Sequence, residues 1–361
     1  MPDRRGTEAG RYTAPGMKGI SGAALERYFT AHVPGVTPPL RFEPIVGGHS
    51  NLTFLVQDAA DRRFVLRRPP TGAVLATAHD MAREHRILSA IAGSAVPVPT
   101  TLALCIDASI NDAPFYVMDF VEGSVLTGPE VAGREVPEAR REALGLHVID
   151  TLAALHRLDP NERGLGDLGR REAYLARQLA RWRTQWEKSR TRELPEMETA
   201  HALLEARMPA QTAVAIVHGD YRIGNFLVAG SAGRINAVLD WELCTLGDPL
   251  ADLGYLMNDW NGLGDLAPNA SGTGISATSC GGFPSREILL ARYEAKTGIS
   301  TEKIAYYRAF QYWRLAAIVE GVLARYRKGV MAEGGNVDAF RNQVDALARA
   351  AVDLASSDAL R

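Results

Sequence analysis

The sequence has few cysteines, no long apolar run and no excess of either charge. Its three cysteines, Cys105, Cys244 and Cys280, are far apart, and none belongs to a CxxC pair. This spacing argues against a disulfide framework and against a structural zinc site. No 18 apolar residues occur in succession, so no membrane-spanning helix is predicted. The formal net charge of −2 argues against nucleic acid as a partner.

The amino-terminal residues lack the apolar segment of a secretory signal, although they include several basic residues. Together with the scarce cysteines, this predicts a reducing, cytoplasmic setting. Apolar residues make up 46% of the chain and charged residues 23%, which is close to the average of globular proteins. A length of 361 residues is enough for about two domains. The composition therefore predicts an ordinary soluble protein of two domains.

Residues 1–122 have the pattern of a flexible arm followed by a small sheet. The first 19 residues are rich in Gly, Pro and Arg and are predicted to be disordered. A helix is predicted over 21–33 with Ser21 as its cap, and a second over 77–91. Five alternating apolar runs predict antiparallel strands: RFEPIV, NLTFLVQD, RRFVLRR, TTLALCI and PFYVMDFV.

Residues 123–361 have a mainly helical pattern. Helical periodicity covers 137–158 and 170–208, returns after Pro249 and is longest over 302–328. A short β insert lies between 214 and 239, where AVAIV, FLVA and INAVLD are separated by polar turns. We therefore predict an α+β fold with two lobes, 20–122 and 123–361.

The chemistry-bearing side chains follow the strands of this β insert. The run VAIVHGDYRIGNFLV brings Asp220 and Asn225 into a loop, and the strand AVLD brings Asp240 to its end. Two carboxylates and an amide oxygen are hard ligands that suit Mg²⁺, which keeps positions for water and phosphate. Phosphoryl transfer needs one carboxylate as a base and metal ions on the phosphates. The pattern therefore indicates a phosphotransferase, with Asp220 as the base.

These elements resemble those of a known superfamily. HGDxxxxN followed by a strand-borne Asp is similar to the HRDxxxxN and DFG elements of protein kinases. Gly in place of Arg, and DWE in place of DFG, resemble the aminoglycoside phosphotransferase and choline kinase branch. Within this branch, four further segments resemble the phosphotransferase domains associated with acyl-CoA dehydrogenases: VLRRPPTG, TAHDMAREHRIL, PFYVMDFVEG and LDWELCTLGDPLADLGYL. The resemblance runs from about Phe42 to Arg327 and implies a protein-kinase-like fold.

The resemblance implies an ATP site in the first lobe. The turn residues implied to cover the phosphates are Gly47, Gly48, Ser50 and Asn51. Arg67 occupies the place where most kinases carry a phosphate-gripping Lys, and Glu84 is implied to pair with it. A guanidinium is not interchangeable with an ammonium, so ATP and another nucleotide both remain open as donor. The implied hinge, whose backbone reads the adenine edge, comprises Met118, Asp119, Phe120 and Val121.

For the second lobe the resemblance implies that Asp220 is the catalytic base and that Asn225 and Asp240 hold Mg²⁺. Asp252, on the next helix, is implied to support the loop. Simpler interpretations stand beside these roles. Arg67 could be solvated, and Glu84 could be a surface glutamate. Further polar and thiol side chains near the loop also have structural interpretations: His218 as a loop hydrogen-bonder, Glu242 as a cap and Cys244 as a buried hydrophobe.

The acceptor is left open between classes. Eight Lys or Arg residues occur over 170–192 beside Trp182 and Trp186, which predicts a solvated helix face or a rim for an anionic acceptor such as a CoA thioester. Aromatic residues after Pro249 predict helix core, and any surplus would favour an apolar acceptor. The resemblance implies a small-molecule hydroxyl acceptor of the hydroxyacyl-CoA type. The alternatives are an antibiotic kinase for aminoglycosides or macrolides and a non-catalytic nucleotide-binding module. No pattern specifies an oligomeric state.

Overall fold

The computed structural model describes residues 18–45, 51–71, 80–261, 275–328 and 336–357. Their contacts divide the chain into two compact units. The first contains residues up to Ala92 together with Pro99–Val121, and the second contains Gly93–Val98 and everything from Glu122 onward. Across the described residues, no helix combines the length and the apolar character that crossing a membrane requires.

The first unit is built on a five-stranded antiparallel sheet. The strand order is β1-β2-β3-β5-β4, and each neighbouring pair is antiparallel. All five strands fall within the runs predicted from the sequence. Buried residues alternate with more exposed ones in β2 and β4, whereas β3 and β5 bury consecutive residues. The elements of this unit are α1 (Gly22–His32), β1 (Arg41–Pro44), β2 (Leu52–Gln57), β3 (Arg63–Arg68), α2 (Met81–Ile91), β4 (Thr101–Cys105), α3 (Ala108–Asn111) and β5 (Phe115–Asp119).

Helix α1 packs its apolar face into the core of this unit. Leu25 and Phe29 are fully buried and join the phenylalanines of the sheet. The predicted side-chain cap is wrong: the hydroxyl of Ser21 makes no capping hydrogen bond. Its carbonyl accepts from the amides of residues 24 and 25, and its own amide donates to Asn111 Oδ1 at 2.8 Å. The start of α1 is thus held by a contact with α3 that local sequence does not reveal.

Helix α2 carries the apolar stripe that the sequence predicts. Asp80 caps it by accepting from the amide of Arg83 at 2.9 Å, so the described helix begins at Met81. The predicted start of the helix at residue 77 lies outside the described residues, which resume at residue 80 after a gap. Every member of the stripe is buried, and one of them is charged: Met81, Glu84, Leu88 and Ile91. Glu84 therefore faces inward, which excludes its interpretation as a surface glutamate.

The second unit is mainly helical, and two small antiparallel sheets lie within it. Strand β6 pairs with β9, and β7 pairs with β8. β9 was not predicted, because three residues are too few for a visible alternation. The elements of this unit are α4 (Pro129–Glu135), α5 (Glu138–His156), α6 (Tyr174–Ser189), α7 (Pro195–Ala206), β6 (Ala215–Val217), β7 (Phe226–Ala229), β8 (Arg234–Val238), β9 (Thr245–Gly247), α8 (Leu250–Asn258), α9 (Arg286–Thr297), α10 (Ile304–Arg327) and α11 (Val337–Ser356).

Helix α10 passes through the core of this unit. Seven aromatic residues after Pro249 are at most 6% exposed, which confirms their interpretation as core: Tyr255, Trp260, Tyr306, Tyr307, Phe310, Tyr312 and Trp313. Several of their polar atoms are satisfied by backbone, as where Trp313 Nε1 donates to Met197 O at 3.1 Å. Burial of polar tips with partners is the ordinary arrangement for tyrosine and tryptophan.

Three of the eight basic residues over 170–192, namely Arg183, Arg190 and Arg192, are paired with carboxylates within this unit. Arg183 contacts Glu187 and Glu198, and Arg192 contacts Glu320 and Asp345. Glu320 is fully buried, so its pairing with Arg192 ties the end of α6 to α10. These contacts favour the structural interpretation of the segment over that of a rim for an anion.

Candidate active site

The loop after β6, residues 218–225, is anchored by a buried carboxylate. Asp252 on α8 is 1% exposed. Its Oδ2 accepts from the amide of His218 at 2.6 Å, and its Oδ1 accepts from the amide of Gly219 at 2.8 Å. His156 Nε2 lies 3.4 Å from the same Oδ2. Buried backbone donors need such acceptors, so Asp252 fixes the direction in which the loop leaves the strand, in the place the resemblance implies.

His218 connects this loop to the end of β8. Its ring is fully buried, with Nε2 2.9 Å from Leu239 O and Nδ1 3.2 Å from the amide nitrogen of Asp220. Both contacts are satisfied by the neutral tautomer that donates from Nε2 and accepts at Nδ1. The Trp241 ring lies against it, with centroids 4.6 Å apart. His218 therefore links the two carboxylate-bearing segments, and this geometry favours its structural interpretation.

Gly219 occupies a position in this loop where both the backbone conformation and the close approach of Leu243 favour a residue without a side chain. Its φ is +85°, which favours glycine. A Cβ at this position would lie 2.8 Å from Leu243 O and 2.9 Å from Leu243 Cβ. The space that the Arg side chain of HRD would enter is therefore filled by the segment after Asp240. Gly in HGD follows from this close approach.

Asp220 projects from the loop, is partly exposed and is surrounded by donors. Asn225 Nδ2 donates to its Oδ2 at 2.6 Å and to its carbonyl at 2.9 Å. The Tyr255 hydroxyl also hydrogen-bonds to this carboxylate, and Arg222 Nε lies 3.5 Å from Oδ2. The side chain of Asp220 remains 19% exposed. These contacts orient the carboxylate while leaving part of it open to an incoming group.

Asp259, at the end of α8, is a second carboxylate beside this loop. It is 4% exposed and accepts from the amide of Ile223 at 3.0 Å. Burial raises the pKa of Asp259 to about 6, although Arg222 and the amide of Ile223 oppose the rise. Burial also opposes the charge on Arg222, yet Asp220 and Asp259 hold the pKa of its guanidinium above the usual value. Arg222 thus balances two carboxylates.

Asp240 occupies a left-handed backbone position at the end of β8. Its φ is 65° and its ψ 64°, a conformation that Asp tolerates better than most residues. The next residue, Trp241, is fully buried and donates from Nε1 to Val238 O at 3.0 Å, which fixes the turn. The amide of Leu239 donates to Asn225 O at 2.8 Å. This bond brings the backbones that carry Asp240 and Asn225 side by side.

The donor set fits a magnesium ion. Because Asn225 directs its amide nitrogen to Asp220, its Oδ1 is turned the other way and accepts no hydrogen bond from the described residues. The Asn225 amide oxygen and the Asp240 carboxylate, carried by backbones that the Leu239–Asn225 hydrogen bond holds together, are two hard ligands. Among the described residues, no cluster of three or more His, Cys, Asp or Glu side chains could hold a metal. The two ligands suit an ion that completes its coordination with water and phosphate.

In the first unit, β3 and α2 bring Arg67 and Glu84 together. Arg67 Nε lies 3.2 Å from Glu84 Oε2, and the two side chains are 15% and 3% exposed. The adjacent Arg68 has a different environment, because its Nη1 donates to the carbonyls of Gly19 and Asn111 at 2.8 and 2.9 Å. The two arginines of VLRR are therefore distinguished: Arg68 serves the core, and Arg67 is paired with a buried glutamate.

The remaining predicted nucleotide-binding residues lie in the same unit. Asn51 is 6% exposed and immediately precedes β2, whereas Gly47, Gly48 and Ser50 lie outside the described residues. The predicted hinge begins at Met118 in β5 and continues through Asp119 and Phe120 to Val121. The amides of Asp119 and Phe120 donate to Thr100 O and Arg63 O. Within the described residues, the amide of Val121 has no acceptor.

Four residues around the loop were missed by the sequence analysis. They are Arg222, Tyr255, Asp259 and, on α10, Arg314, whose Nη2 donates to Gly219 O at 2.9 Å. Only Arg222 carries a local signal, since it lies two residues after Asp220 in the same loop. The others come from helices 35 to 94 positions away in the chain, where their residue types are ordinary for a helix core.

Comparison with known proteins now identifies the family. The sequence profile of the phosphotransferase enzyme family matches residues 41–273. The chain belongs to this family. The match includes both the Arg67–Glu84 pair and the loop that carries Asp220, and it confirms the resemblance stated from the sequence.

Two curated animal proteins illustrate the relationship. Mouse acyl-CoA dehydrogenase family member 10 is 34% identical over 343 residues, which cover 94% of this chain and 31% of that protein. Chicken acyl-CoA dehydrogenase family member 11 is 34% identical over 338 residues, which cover 92% of this chain and 43% of that protein. The chain thus spans less than half the length of these relatives.

Solved structures share the architecture. A Ralstonia eutropha protein provisionally named an aminoglycoside phosphotransferase is 32% identical, with a TM-score of 0.78 over 92% of this chain and 97% of that one. A macrolide 2′-phosphotransferase from Brachybacterium faecium is 22% identical, with a TM-score of 0.56 over 90% of this chain and 97% of that one. The second similarity shows the fold alone. The predicted α+β, protein-kinase-like fold is therefore confirmed.

Proposed function

We propose that this protein is an ATP- and Mg²⁺-dependent kinase that phosphorylates a hydroxyl group of a small molecule. The observation that carries the proposal is the arrangement around residues 218–240, where Asp220, Asn225 and Asp240 are brought together by β6, β8 and the buried Asp252. Membership of the phosphotransferase family supports it. A structure titled as a ternary complex of an aminoglycoside phosphotransferase with ADP and hygromycin B has the same fold.

In the proposed reaction Asp220 is the base. Its partly exposed carboxylate accepts the proton of the acceptor hydroxyl as the oxygen attacks the γ-phosphorus, and the bond from phosphorus to the bridging oxygen of ADP breaks. Asn225 and Tyr255 donate to this carboxylate and keep it oriented. Arg222, 3.5 Å away, offsets the negative charge that accumulates as the phosphoryl group approaches.

Residues of each unit are proposed to have a role toward the donor nucleotide. Asn225 Oδ1 and Asp240 would hold Mg²⁺, which when bound neutralises charge on the phosphates. Arg67, steadied by Glu84, would contact phosphate oxygens through a planar fork of donors. Along the predicted hinge, Val121 offers the amide that has no acceptor among the described residues. The turn at residues 47–51 is proposed to cover the phosphates, and unit 20–122 is proposed to be the nucleotide-binding lobe.

The acceptor is proposed to be a hydroxyacyl-CoA or a related hydroxy acid. Support comes from the curated relatives, which are named as members of the acyl-CoA dehydrogenase family and match over at least 92% of this chain. The small-molecule class follows from the family, whereas the hydroxyacyl class is our proposal.

Substitution of the base tests the reaction. Asp220→Asn keeps the shape of the side chain but removes its basicity, so we expect kcat to fall by at least a hundredfold with little change in ATP affinity. Product formation from radiolabelled ATP and calorimetric ATP titration measure the two quantities. Arg181→Gln, a substitution on the exposed part of α6, is the control and should leave both unchanged. Near-normal turnover in Asp220→Asn would remove the base assignment, and wild-type protein that binds ATP but transfers no phosphate would indicate a non-catalytic module.

A further inference from the structure

Arg314 is a buried cation close to the candidate base, and it has no carboxylate partner among the described residues. It lies on α10 and is 7% exposed. Its Nη1 donates to Gln311 Oε1 at 2.8 Å and its Nη2 to Gly219 O at 2.9 Å. Both acceptors are neutral, and within the described residues no Asp or Glu pairs with it. A buried charge is ordinarily paired, because leaving water is unfavourable for an ion.

The surroundings of Arg314 also contain a buried hydrogen-bond donor without an acceptor. The guanidinium carbon lies 5.5 Å from the ring centre of Trp182 and 5.5 Å from that of Tyr255. The indole Nε1–H of Trp182 is buried and makes no hydrogen bond to any residue that the structure describes. Buried donors nearly always have partners in native proteins. A buried cation whose two acceptors are neutral thus lies beside a buried N–H group that has no acceptor.

This place is adjacent to the proposed chemistry. Tyr255, whose ring faces Arg314, hydrogen-bonds to the carboxylate of Asp220. The carbonyl that accepts from Arg314 belongs to Gly219, the residue before the base. The nearby carboxylates already have other partners, since Asp259 accepts from the Ile223 amide and faces Arg222. The positive charge of Arg314 is therefore available to a bound molecule whose hydroxyl reaches Asp220.

We propose that Arg314 and Trp182 form a recognition site for an anionic group, a carboxylate or a phosphate, carried by the hydroxyl acceptor. This inference rests on the proposed function and narrows its acceptor class. Guanidinium groups bind carboxylate and phosphate oxygens strongly and repel ammonium groups. The site thus selects hydroxy acids or their phosphate-bearing esters and disfavours the polycationic aminoglycosides.

A matched set of acceptors tests the proposal on the wild-type protein. The probes are 2-, 3- and 4-hydroxybutyrate, each offered as the free acid, the neutral amide and the CoA thioester, together with kanamycin. We expect kcat/KM for an anionic form to exceed that of its amide by about tenfold or more. If kcat/KM is highest for the free acid, the group recognised by Arg314 is the carboxylate. If only the CoA thioester is preferred over the amide, the group recognised is a phosphate of CoA. Equal use of acid, thioester and amide, or transfer to kanamycin alone, would overturn the proposal. Absence of phosphorylated product with every acceptor would instead remove the proposed function.

Substitution of Arg314 separates recognition from support of the loop. Arg314→Gln should raise KM for the preferred anionic acceptor at least tenfold more than it raises KM for the neutral amide, whatever loss of kcat the two acceptors share through the Gly219 contact. Arg314→Lys, which retains the charge, should recover part of the loss. Arg181→Gln is the matched control, because Arg181 also lies over the Trp182 ring, at 5.3 Å, but is exposed. Equal losses for anionic and amide acceptors would show that Arg314 only holds Gly219, and would overturn the inference. If Arg314→Gln does not fold, Arg314→Lys and the wild-type acid-to-amide ratio decide.

Discussion

Replacing Gly219 by Ala tests whether the loop and the segment after Asp240 are held together by close contact. The left-handed φ of +85° alone makes a side chain unfavourable by roughly 1–2 kcal/mol. The new Cβ would also lie 2.8 Å from Leu243 O, a backbone atom that cannot move without its chain. Such overpacking adds about 1–3 kcal/mol. We therefore expect Gly219→Ala to lower the free energy of unfolding by about 2–5 kcal/mol.

A matched substitution isolates the contact from the backbone effect. Gly298, which follows α9, has a φ of +71°, and a Cβ there would meet nothing within 4 Å. Gly298→Ala should therefore lower the free energy of unfolding by roughly 1–2 kcal/mol, the backbone contribution alone. Urea unfolding of the two variants, followed by circular dichroism, measures the difference.

The activity of the two variants should differ more than their stability. Relief of the Leu243 contact in Gly219→Ala requires the segments that carry Asp220 and Asp240 to separate, and a misplacement of about 1 Å can reduce turnover about a hundredfold. Gly298→Ala should retain wild-type kcat. If Gly219→Ala is no less stable than Gly298→Ala and turns over normally, the close approach does not position the site.

Two further predictions concern the ion pair and the buried acid. Arg67→Met and Glu84→Gln should each raise KM for ATP by about tenfold. Because both residues act through one ion pair, KM for ATP of the double variant should not exceed that of the more impaired single variant. A KM raised by the product of the two single effects would contradict this. For Asp259, whose folded pKa is raised to about 6 by burial, the unfolded chain ionises first, so the free energy of unfolding falls as pH rises from about 4 to about 6. Asp259→Asn should remove this fall, and its stability relative to wild type should grow by about 3 kcal/mol over that range in urea unfolding; a constant difference would refute the shift.

Periodicity made the larger elements predictable because burial imposes it directly. The stripe of α2 and the core helix α10 were found from apolar spacing alone, and both are buried as expected. Elements fixed by distant contacts were less accessible. The helical pattern over 170–208 is divided between two helices, α6 and α7. Pro195 begins α7, and before it the Thr191 amide and hydroxyl both donate to buried Glu320 from α10. No signal within the segment itself announces that partner.

The site divides in the same way. Asp220, Asn225 and Asp240 lie at strand ends within one β insert, so sequence spacing was enough to propose that they meet. Arg314 and Tyr255 reach the same loop from two separate helices. Helical periodicity marks such positions as buried, but burial alone does not distinguish a residue that packs from one that donates to a catalytic loop. Only tertiary contacts assign them.

The four aspartates near the loop show how one residue type acquires different roles. Asp252 has its oxygens occupied by two backbone amides, so it holds structure and offers little to a ligand. Asp259 is buried against Arg222 and keeps its proton to a higher pH, which also withdraws it from metal binding. Asp220 is held by Asn225, Tyr255 and Arg222 yet stays 19% exposed, and Asp240 is partly exposed at a left-handed backbone position. Since Asp252 and Asp259 are buried whereas Asp220 and Asp240 are partly exposed, burial and hydrogen bonding, rather than residue identity, select the pair proposed to perform the chemistry.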